Sequence, residues 1–335
     1  MSQTFVFVGM TEVGSELAPN LLEAGFKAAE NIAEADVIFT FTPFLDDTEE
    51  LYFGSEGLIT QAHEGAYLVN LSPATPSLSS EISALAQVSN MFAVDAPLLV
   101  KDASREHAFA DRGNLAMFVG GEDEDAQSIK GLLDALVSDV VVCGAPGNGQ
   151  LAKAAATLQR SAAVVGLIEA HSLCRVTSNE ETAAALMARS MATGAVNSDI
   201  VNLYAAIVGR QFVSSYSAEI MLGEVVAALT AADDVELILP QAESAEYLFQ
   251  MLCTIGGVGK STASLSLLYA DEAECARHGL DWSRAEQAYE AMDEDFEDHD
   301  HSHCDHDHDH HDHGHLGHGH HHHEEGFGFG AYSPN

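Results

Sequence analysis

Near its start the chain reads Phe5-Val-Phe-Val-Gly-Met-Thr-Glu-Val-Gly14, and this stretch decides the fold. Residues 4–9 form a short apolar run, rich in branched side chains, that ends at a glycine, which is typical of a buried β-strand. Residues 13–24 place apolar side chains at helical spacing. The stretch therefore predicts a strand, a glycine turn and a helix in direct succession.

Strand-like and helix-like patterns alternate through the first half of the chain, and the second half is helical only. Further short apolar runs predict strands at residues 36–42, 67–71, 91–94, 115–119 and 139–143. Helical patterns follow at residues 148–176, 180–193, 198–209, 216–232, 240–254 and 261–292. Alternation of this kind indicates a mostly parallel sheet covered by helices. We therefore predict an α/β fold with a Rossmann-like parallel-sheet domain at 1–146, an all-helical domain at 147–292 and a tail at 293–335.

The turn after the first strand is similar to the dinucleotide-binding pattern G-x-G-x-x-G. Gly9 and Gly14 hold the first and third glycine positions, and Thr11 stands at the middle one. The glycines of this pattern let the backbone approach a pyrophosphate at the N-terminus of a helix. A Cβ atom at Thr11 limits that approach, so the turn predicts weakened dinucleotide binding.

A second glycine-rich turn opens the long helix of the second half, and it reads Gly144-Ala-Pro-Gly-Asn-Gly-Gln-Leu-Ala-Lys153. Lys153 falls on the second turn of that helix, on an apolar face. Partial burial would lower the pKa of its ammonium group and make it a candidate general acid or base. The alternative is a lysine that extends along the helix surface into solvent.

Taken together, these stretches resemble the β-hydroxyacid dehydrogenase family, which includes 3-hydroxyisobutyrate dehydrogenase and, more distantly, 6-phosphogluconate dehydrogenase. Blocks at 35–43, 69–76, 95–97 and 113–121 follow the glycine turn in family order, and the lysine turn comes after them. The resemblance implies hydride transfer between NAD or NADP and a small β-hydroxyacid-like substrate. It also implies a homodimer or higher homo-oligomer.

The resemblance also implies site residues. Lys153 would be the acid–base group, and Ser72 and Thr157 would position the substrate. Thr157 stands where the family has an asparagine. The residues implied for cofactor binding are Gly9, Met10, Thr11, Val13, Gly14, Thr42 and Pro43.

Three departures from the family pattern count against an ordinary dehydrogenase. Only nine residues separate Gly25 from Ala35, so the second strand, which normally ends in the side chain that holds the adenosine ribose, is predicted to be missing. Either the cofactor binds without that anchor or it no longer binds. Leu98-Leu-Val-Lys101 replaces a cradle of small residues, which predicts a bulkier and more apolar substrate pocket. Gly223 and Glu224 replace a Lys-Asp pair, so a lysine near the nicotinamide is lost.

The segment 293–335, which we call the histidine tail, is rich in histidine, aspartate and glycine up to residue 325. Neutral imidazoles among carboxylates suit borderline divalent ions such as Ni²⁺, Zn²⁺, Co²⁺ and Cu²⁺. We expect several loosely defined metal sites on a tail that is disordered without a ligand. The candidate ligands are His299, His301, His303, His306, His308, His310, His311, His313, His315, His318, His320, His321, His322 and His323.

Composition limits the possible partners and compartments. The 335 residues include 52 acidic and 13 basic ones, a formal net charge of −39, which argues against nucleic-acid or anionic-membrane partners. Five unpaired-looking cysteines and the lack of a leader pattern predict a cytoplasmic location. Gly256-Gly-Val-Gly-Lys-Ser-Thr262 resembles a phosphate-binding loop, but a helical pattern precedes it where a strand is needed, so ATP binding is not expected.

Two functions follow from the sequence. The first is an NAD(P)-dependent oxidoreductase in which Lys153 exchanges a proton with the substrate oxygen. The alternative is a non-catalytic dehydrogenase-like scaffold whose histidine tail stores or delivers a divalent metal. Lys153, Ser72 and the order of the blocks favour the enzyme, whereas Thr11 and the shortened cofactor domain favour the scaffold.

Overall fold

The computed structural model of the protein describes residues 3–192 and 198–288. Within these ranges the strands are β1 (Thr4–Gly9), β2 (Lys27–Ala28), β3 (Val37–Phe41), β4 (Tyr67–Asn70), β5 (Phe92–Asp95), β6 (Leu98–Val100), β7 (Leu115–Gly120) and β8 (Asp139–Gly144). The helices of the first half are α1 (Thr11–Glu23), α2 (Leu45–Phe53), α3 (Leu58–Gln61), α4 (Pro76–Val88), α5 (Asp123–Ser128) and α6 (Lys130–Leu136). The helices of the second half are α7 (Asn148–Thr177), α8 (Glu180–Met191), α9 (Ser198–Val208), α10 (Ala218–Asp233), α11 (Pro240–Leu252) and α12 (Glu272–Arg277).

All eight strands belong to one sheet, in the order β2-β1-β3-β4-β5-β7-β6, with β8 beside β7. Strands β1 to β5 are parallel to one another, while β7 runs antiparallel to β5 and β6 runs antiparallel to β7. Strand β8 is parallel to β7. The predicted α/β class, a parallel Rossmann-like sheet followed by helices, is therefore confirmed.

Both faces of the parallel sheet are covered. Phe5 and Phe39 point to the face that packs against Leu17 of α1, while Ile38 and Leu68 belong to the second apolar cluster on the opposite face. Burial on both faces explains why β3 has no polar alternation and is buried along its whole length. Loops follow the carboxyl ends of the strands, and ligands of such sheets bind at these ends.

Helix α7 connects the sheet to the helices that follow. It has 30 residues, which corresponds to about 45 Å at 1.5 Å per residue. It begins four residues after β8 ends, beside the division predicted at residue 147. The described residues nevertheless cluster as one compact unit, so separate domains at 1–146 and 147–292 stay a prediction.

The second strand is present, so its predicted absence is wrong. Strand β2 pairs parallel with β1 but has only two residues. A 3₁₀ turn at Ile32–Glu34 leads from it directly to β3, and no α-helix lies between these two strands. Compared with the usual dinucleotide-binding sheet, the short segment between Gly25 and Ala35 therefore lacks most of one strand and the helix that follows it.

Strand β6 was not predicted, and it changes the interpretation of residues 98–101. A strand of three residues is too short to display a periodicity, and it forms because β7 pairs with it. Leu98 and Val100 are buried in the core, and Lys101 forms an ion pair of 2.6 Å with Asp139 at the surface. The expectation that this segment makes a substrate pocket bulkier and more apolar stays a prediction.

The predicted helix at 261–292 is also wrong as a single element. Its described part is a 3₁₀ segment at Thr262–Tyr269, the separate helix α12, and further helical residues at 283–288. The Asp271 side chain accepts a hydrogen bond from Glu274 N and starts α12, and Gly279, at a φ of 74°, follows its end. Local capping thus divides a segment whose apolar spacing looks continuous.

Candidate active site

The candidate site lies where the loops after β4 and β5 meet the first turns of α7, with the loops after β3 and β1 beside them. The glycine turn after β1 is built as a dinucleotide turn at two of its three positions. Gly9 has a φ of 103°, and a Cβ atom there would lie 2.2 Å from the Phe41 carbonyl oxygen. A Cβ atom on Gly14 would lie 3.0 Å from the Cβ atom of Phe7. These are the tight-turn and helix-packing positions of the pattern.

The remaining cofactor candidates of this turn differ in exposure. Thr11 is exposed at the first residue of α1, where the pattern has its middle glycine, and Met10 is half-buried. Val13 is completely buried and packs in the core. The turn thus retains the backbone conformation of a phosphate-binding loop. Val13 packs in the core next to the turn and does not line it.

Ser72 lies at the centre of the loop after β4, but its hydroxyl is already engaged. Its Oγ accepts hydrogen bonds from Thr42 N at 2.9 Å and from Thr42 Oγ1 at 3.3 Å. The Ser72 backbone N–H donates to Asn70 Oδ1 at 2.9 Å. Because Ser72 is fully buried, its present contacts hold the loops after β3 and β4 together.

Gln150 of α7 holds the same loop, and no sequence pattern marked it apart from its position three residues before Lys153. Its Nε2 donates to the Ser72 carbonyl at 2.9 Å, and its Oε1 accepts from Ala74 N at 3.0 Å. Pairing both ends of a buried amide with backbone groups fixes the loop against the helix. These two hydrogen bonds therefore tie residues 72–74 to α7.

Asp95, at the end of β5, joins the sheet to the start of α7. Its Oδ1 accepts from Gly147 N at 2.9 Å and its Oδ2 accepts from Gln150 N at 3.1 Å. Burial raises the pKa of this carboxyl, and the hydrogen bonds from the helix N-terminus oppose that rise. A carboxylate that accepts from free N–H groups of the first helical turn is a stable cap. Asp95 lies in the family-like block at 95–97 but was not predicted as a site residue.

Lys153 is buried beside a carboxylate. Its Nζ lies 2.6 Å from Glu224 Oε1, and each of the two side chains is 4% exposed. Burial lowers the pKa of the Lys153 ammonium, the Arg160 charge lowers it further, and Glu224 opposes both by attraction. Of the two alternatives for this lysine, burial is therefore correct and the extended surface conformation is wrong.

Thr157 completes this cluster from the same helix. It lies one turn after Lys153 and its Oγ1 donates to Glu224 Oε2 at 3.0 Å. Both oxygens of Glu224 are thus occupied, one by each neighbour. Tyr216 adjoins the cluster, and burial together with the Glu224 charge raises the pKa of its phenol well above the usual value.

The replacement of the family lysine by Gly223 brings α10 against the loop after β3. A Cβ atom at Gly223 would lie 1.8 Å from the Pro43 carbonyl oxygen. Only glycine permits this approach, and it places Glu224 at the next helical position, against Lys153. The structure therefore brings together Thr42, Pro43, Ser72, Lys153 and Thr157, while Gly9 to Gly14 form the neighbouring turn.

The phosphate-loop-like segment at 256–262 is a structural turn. It follows α11 rather than a strand, and Gly256 adopts a φ of 106° within it. Lys260 O accepts from Ala218 N at 2.6 Å, and Ser261 N donates to the Phe212 carbonyl at 3.1 Å. These backbone bonds dock the segment at the start of α10.

The histidine tail lies outside the described residues, so its predicted metal sites stay a prediction. Among residues 3–192 and 198–288, no three or more histidine, cysteine or acidic side chains are grouped so that they could hold a metal ion. The helices in the same ranges include none that is both long and apolar enough to span a membrane.

Comparison with known proteins gives the fold a class. The family model described as the NAD binding domain of 6-phosphogluconate dehydrogenase matches residues 26–144. A 3-hydroxyisobutyrate dehydrogenase structure from Mycobacterium tuberculosis, with L-serine, has a TM-score of 0.65 at 19% identity and covers 81% of this chain and 100% of that one. The 3-hydroxyisobutyrate dehydrogenase from Salmonella typhimurium has a TM-score of 0.66 at 17% identity and covers 80% and 100%. The fold is therefore that of these two structures, a Rossmann-like sheet followed by a helical second half.

Sequence relatives place the chain more narrowly. An uncharacterized oxidoreductase of Bacillus subtilis, YkwC, is 28% identical over 294 residues, which cover 80% of this chain and 99% of the relative. The mitochondrial 3-hydroxyisobutyrate dehydrogenase of Mus musculus is 28% identical over 191 residues, 50% of this chain and 56% of that enzyme. These matches support the resemblance to the β-hydroxyacid dehydrogenase family that the sequence blocks predicted.

Proposed function

We propose that the protein is an NAD(P)-dependent oxidoreductase that interconverts a carbonyl and an alcohol on a small β-hydroxyacid-like, or more apolar, substrate. The observation that carries the proposal is the buried Lys153 ammonium, 2.6 Å from Glu224 and at the junction of α7 with α10. Similarity to 6-phosphogluconate and 3-hydroxyisobutyrate dehydrogenases supports the reaction class, and the glycine turn after β1 supports a nicotinamide cofactor.

Lys153 has the properties that an acid–base group needs. A buried ammonium with a lowered pKa can give up its proton near neutral pH more readily than a lysine in water. When bound, the nicotinamide cofactor supplies or accepts the hydride. Lys153 would donate a proton to the substrate oxygen in the reducing direction and accept it in the oxidising direction. Glu224 would keep the ammonium charged until the substrate arrives.

Substrate entry requires the junction to open. Lys153 is 3% exposed, so a substrate oxygen cannot reach Nζ in the closed arrangement. The contact between Gly223 and Pro43 and the pair with Glu224 both lie at this junction. Glu224 balances the Lys153 charge, and the Arg160 charge, which also acts on Lys153, leaves the cluster with one net positive charge. This charge favours a substrate that carries a carboxylate.

The experiment is a screen of small aldehydes, oxo acids and their alcohols with NADH, NADPH and their oxidised forms. Lys153→Ala should lower turnover at least about a hundredfold, the usual scale for an acid–base group. Lys101→Ala is the matched control, since Lys101 is a surface lysine paired with Asp139, and it should keep full turnover. Retained activity in a folded Lys153→Ala protein would refute the assignment. A cytoplasmic location and a homo-oligomeric state stay predictions.

A further inference from the structure

The edge of the sheet beside β1 ends early, and this determines which part of a nicotinamide cofactor can be held. Strand β2 pairs with β1 only at Thr4↔Lys27 and Phe5↔Ala28. The last bond of the pair runs from Ala29 N to the Phe5 carbonyl at 2.8 Å. Gly9 lies four residues beyond Phe5, which is about 13 Å at about 3.3 Å per residue.

In a dinucleotide-binding sheet, the second strand ends near the glycine turn, and its last side chain reads the adenosine ribose. Here the chain after β2 turns away from that end. The 3₁₀ turn at Ile32–Glu34 follows, and Asp36 Oδ2 accepts from Thr4 N at 2.7 Å and from Thr4 Oγ1 at 2.9 Å. The link between β2 and β3 is therefore tied to the start of β1, at the opposite end of the strand from Gly9. The hydrogen bonds that anchor this link therefore lie at the end of β1 away from the glycine turn and the ribose position.

The space left by the shortened strand is a cavity of about 300 Å³ alongside β1, α1 and Ala28–Ala29. Among the described residues that line it, none carries a charge, and the polar side chains are Thr11 and Ser15. The Ser15 hydroxyl already donates to the Glu12 carbonyl at 2.8 Å. The Phe7 ring, which could have stacked on a base, is stacked on Phe39 at 5.1 Å. The cavity thus offers an adenosine little more than apolar contact.

The other half of the cofactor has better support. The positive φ of Gly9 and the start of α1 form a turn for a phosphate group, and Lys153 marks the reacting end. We propose that this site holds only the nicotinamide mononucleotide half, so that a nicotinamide mononucleotide serves as well as a dinucleotide. This inference rests on the proposed function, because it concerns the same cofactor site.

The test is a binding titration of the full-length protein, followed by the fluorescence of the dihydronicotinamide ring. The probes are reduced nicotinamide mononucleotide, NADH and NADPH, with ADP as a competitor. We expect the three dissociation constants to agree within about threefold and ADP to displace none of the probes. NADH or NADPH binding more than tenfold tighter than the mononucleotide would overturn the inference and leave the proposed function intact. Absence of binding by all three would overturn both.

A cavity-filling variant separates the two halves of the cofactor directly. Ala28 is exposed and lines the cavity, so Ala28→Leu fills part of it at a tolerant surface position. Lys27→Leu is the matched control, one residue away on the opposite face of the same strand. We expect both variants to leave all three dissociation constants unchanged. If Ala28→Leu weakens NADH tenfold or more and spares the mononucleotide, the adenosine occupies the cavity and the inference is wrong.

Discussion

Glu224→Gln is the most informative perturbation, because it removes one charge of a buried pair and keeps the side-chain volume. The two charged atoms lie 2.6 Å apart, and each side chain is 4% exposed. At an effective dielectric constant of about 20, their gross attraction is about 6 kcal/mol. Part of this is offset by the desolvation of both groups. Removing one partner of such a pair is expected to cost about 3–5 kcal/mol of unfolding free energy.

The effect has a defined pH dependence. Burial already lowers the pKa of Lys153 below its value in the unfolded chain, and Glu224 opposes that shift. Without the Glu224 carboxylate the pKa of Lys153 falls further. The folded protein is therefore destabilised at every pH at which Lys153 of the unfolded chain is protonated. The stability deficit of Glu224→Gln should therefore shrink as pH rises toward the ordinary lysine value. If the enzyme is active, the limb of the pH–rate profile that reports Lys153 should move to lower pH.

Urea denaturation across pH measures the stability effect, and a double variant provides the control. Lys153→Met with Glu224→Gln leaves no buried charge at this position, so it should recover most of the lost stability. The reasoning is refuted if Glu224→Gln changes the unfolding free energy by less than about 1 kcal/mol. It is also refuted if the double variant is no more stable than the single one.

Three further predictions test other parts of the structure. In a urea titration, Gly223→Ala should lower the unfolding free energy by about 3 kcal/mol, because the added Cβ would meet Pro43 O at 1.8 Å. The control is Gly166→Ala, which adds a Cβ to open space in α7 and should instead raise the unfolding free energy. Glu16 hydrogen-bonds His107 at 2.9 Å and raises the pKa of that imidazole, so Glu16→Gln should lower the His107 pKa in an NMR titration. The stability that this bond contributes should be complete below the ordinary histidine pKa and should be lost as pH rises through the raised pKa of His107. An unchanged His107 titration in Glu16→Gln would count against the bond. Calorimetry with Ni²⁺ and Zn²⁺ should find several ions bound to the full chain and none after removal of the histidine tail, with binding fading below about pH 6.5; equal stoichiometry in both proteins would exclude the tail.

Local pattern predicted those features of the chain that depend on neighbours in sequence. The strand, turn and helix at the start follow from apolar spacing and two glycines, and β1 and α1 form there. The long helix that carries Lys153 was predicted at 148–176 and forms at Asn148–Thr177. Such elements are long and periodic, so their own residues carry the signal.

Tertiary structure alone decided the short strands and the contacts of the site. Strand β2 has two residues and exists because β1 offers it backbone partners. Ser72 looked like a substrate ligand in the sequence, yet its hydroxyl accepts from Thr42. The sequence left a surface position open as the alternative for Lys153, and its burial depends on α10, which places Glu224 against it. The physical reason is that hydrogen bonds and buried charge pairs form between segments distant in sequence, and a residue's own neighbours along the chain carry no record of the partner that packing will bring.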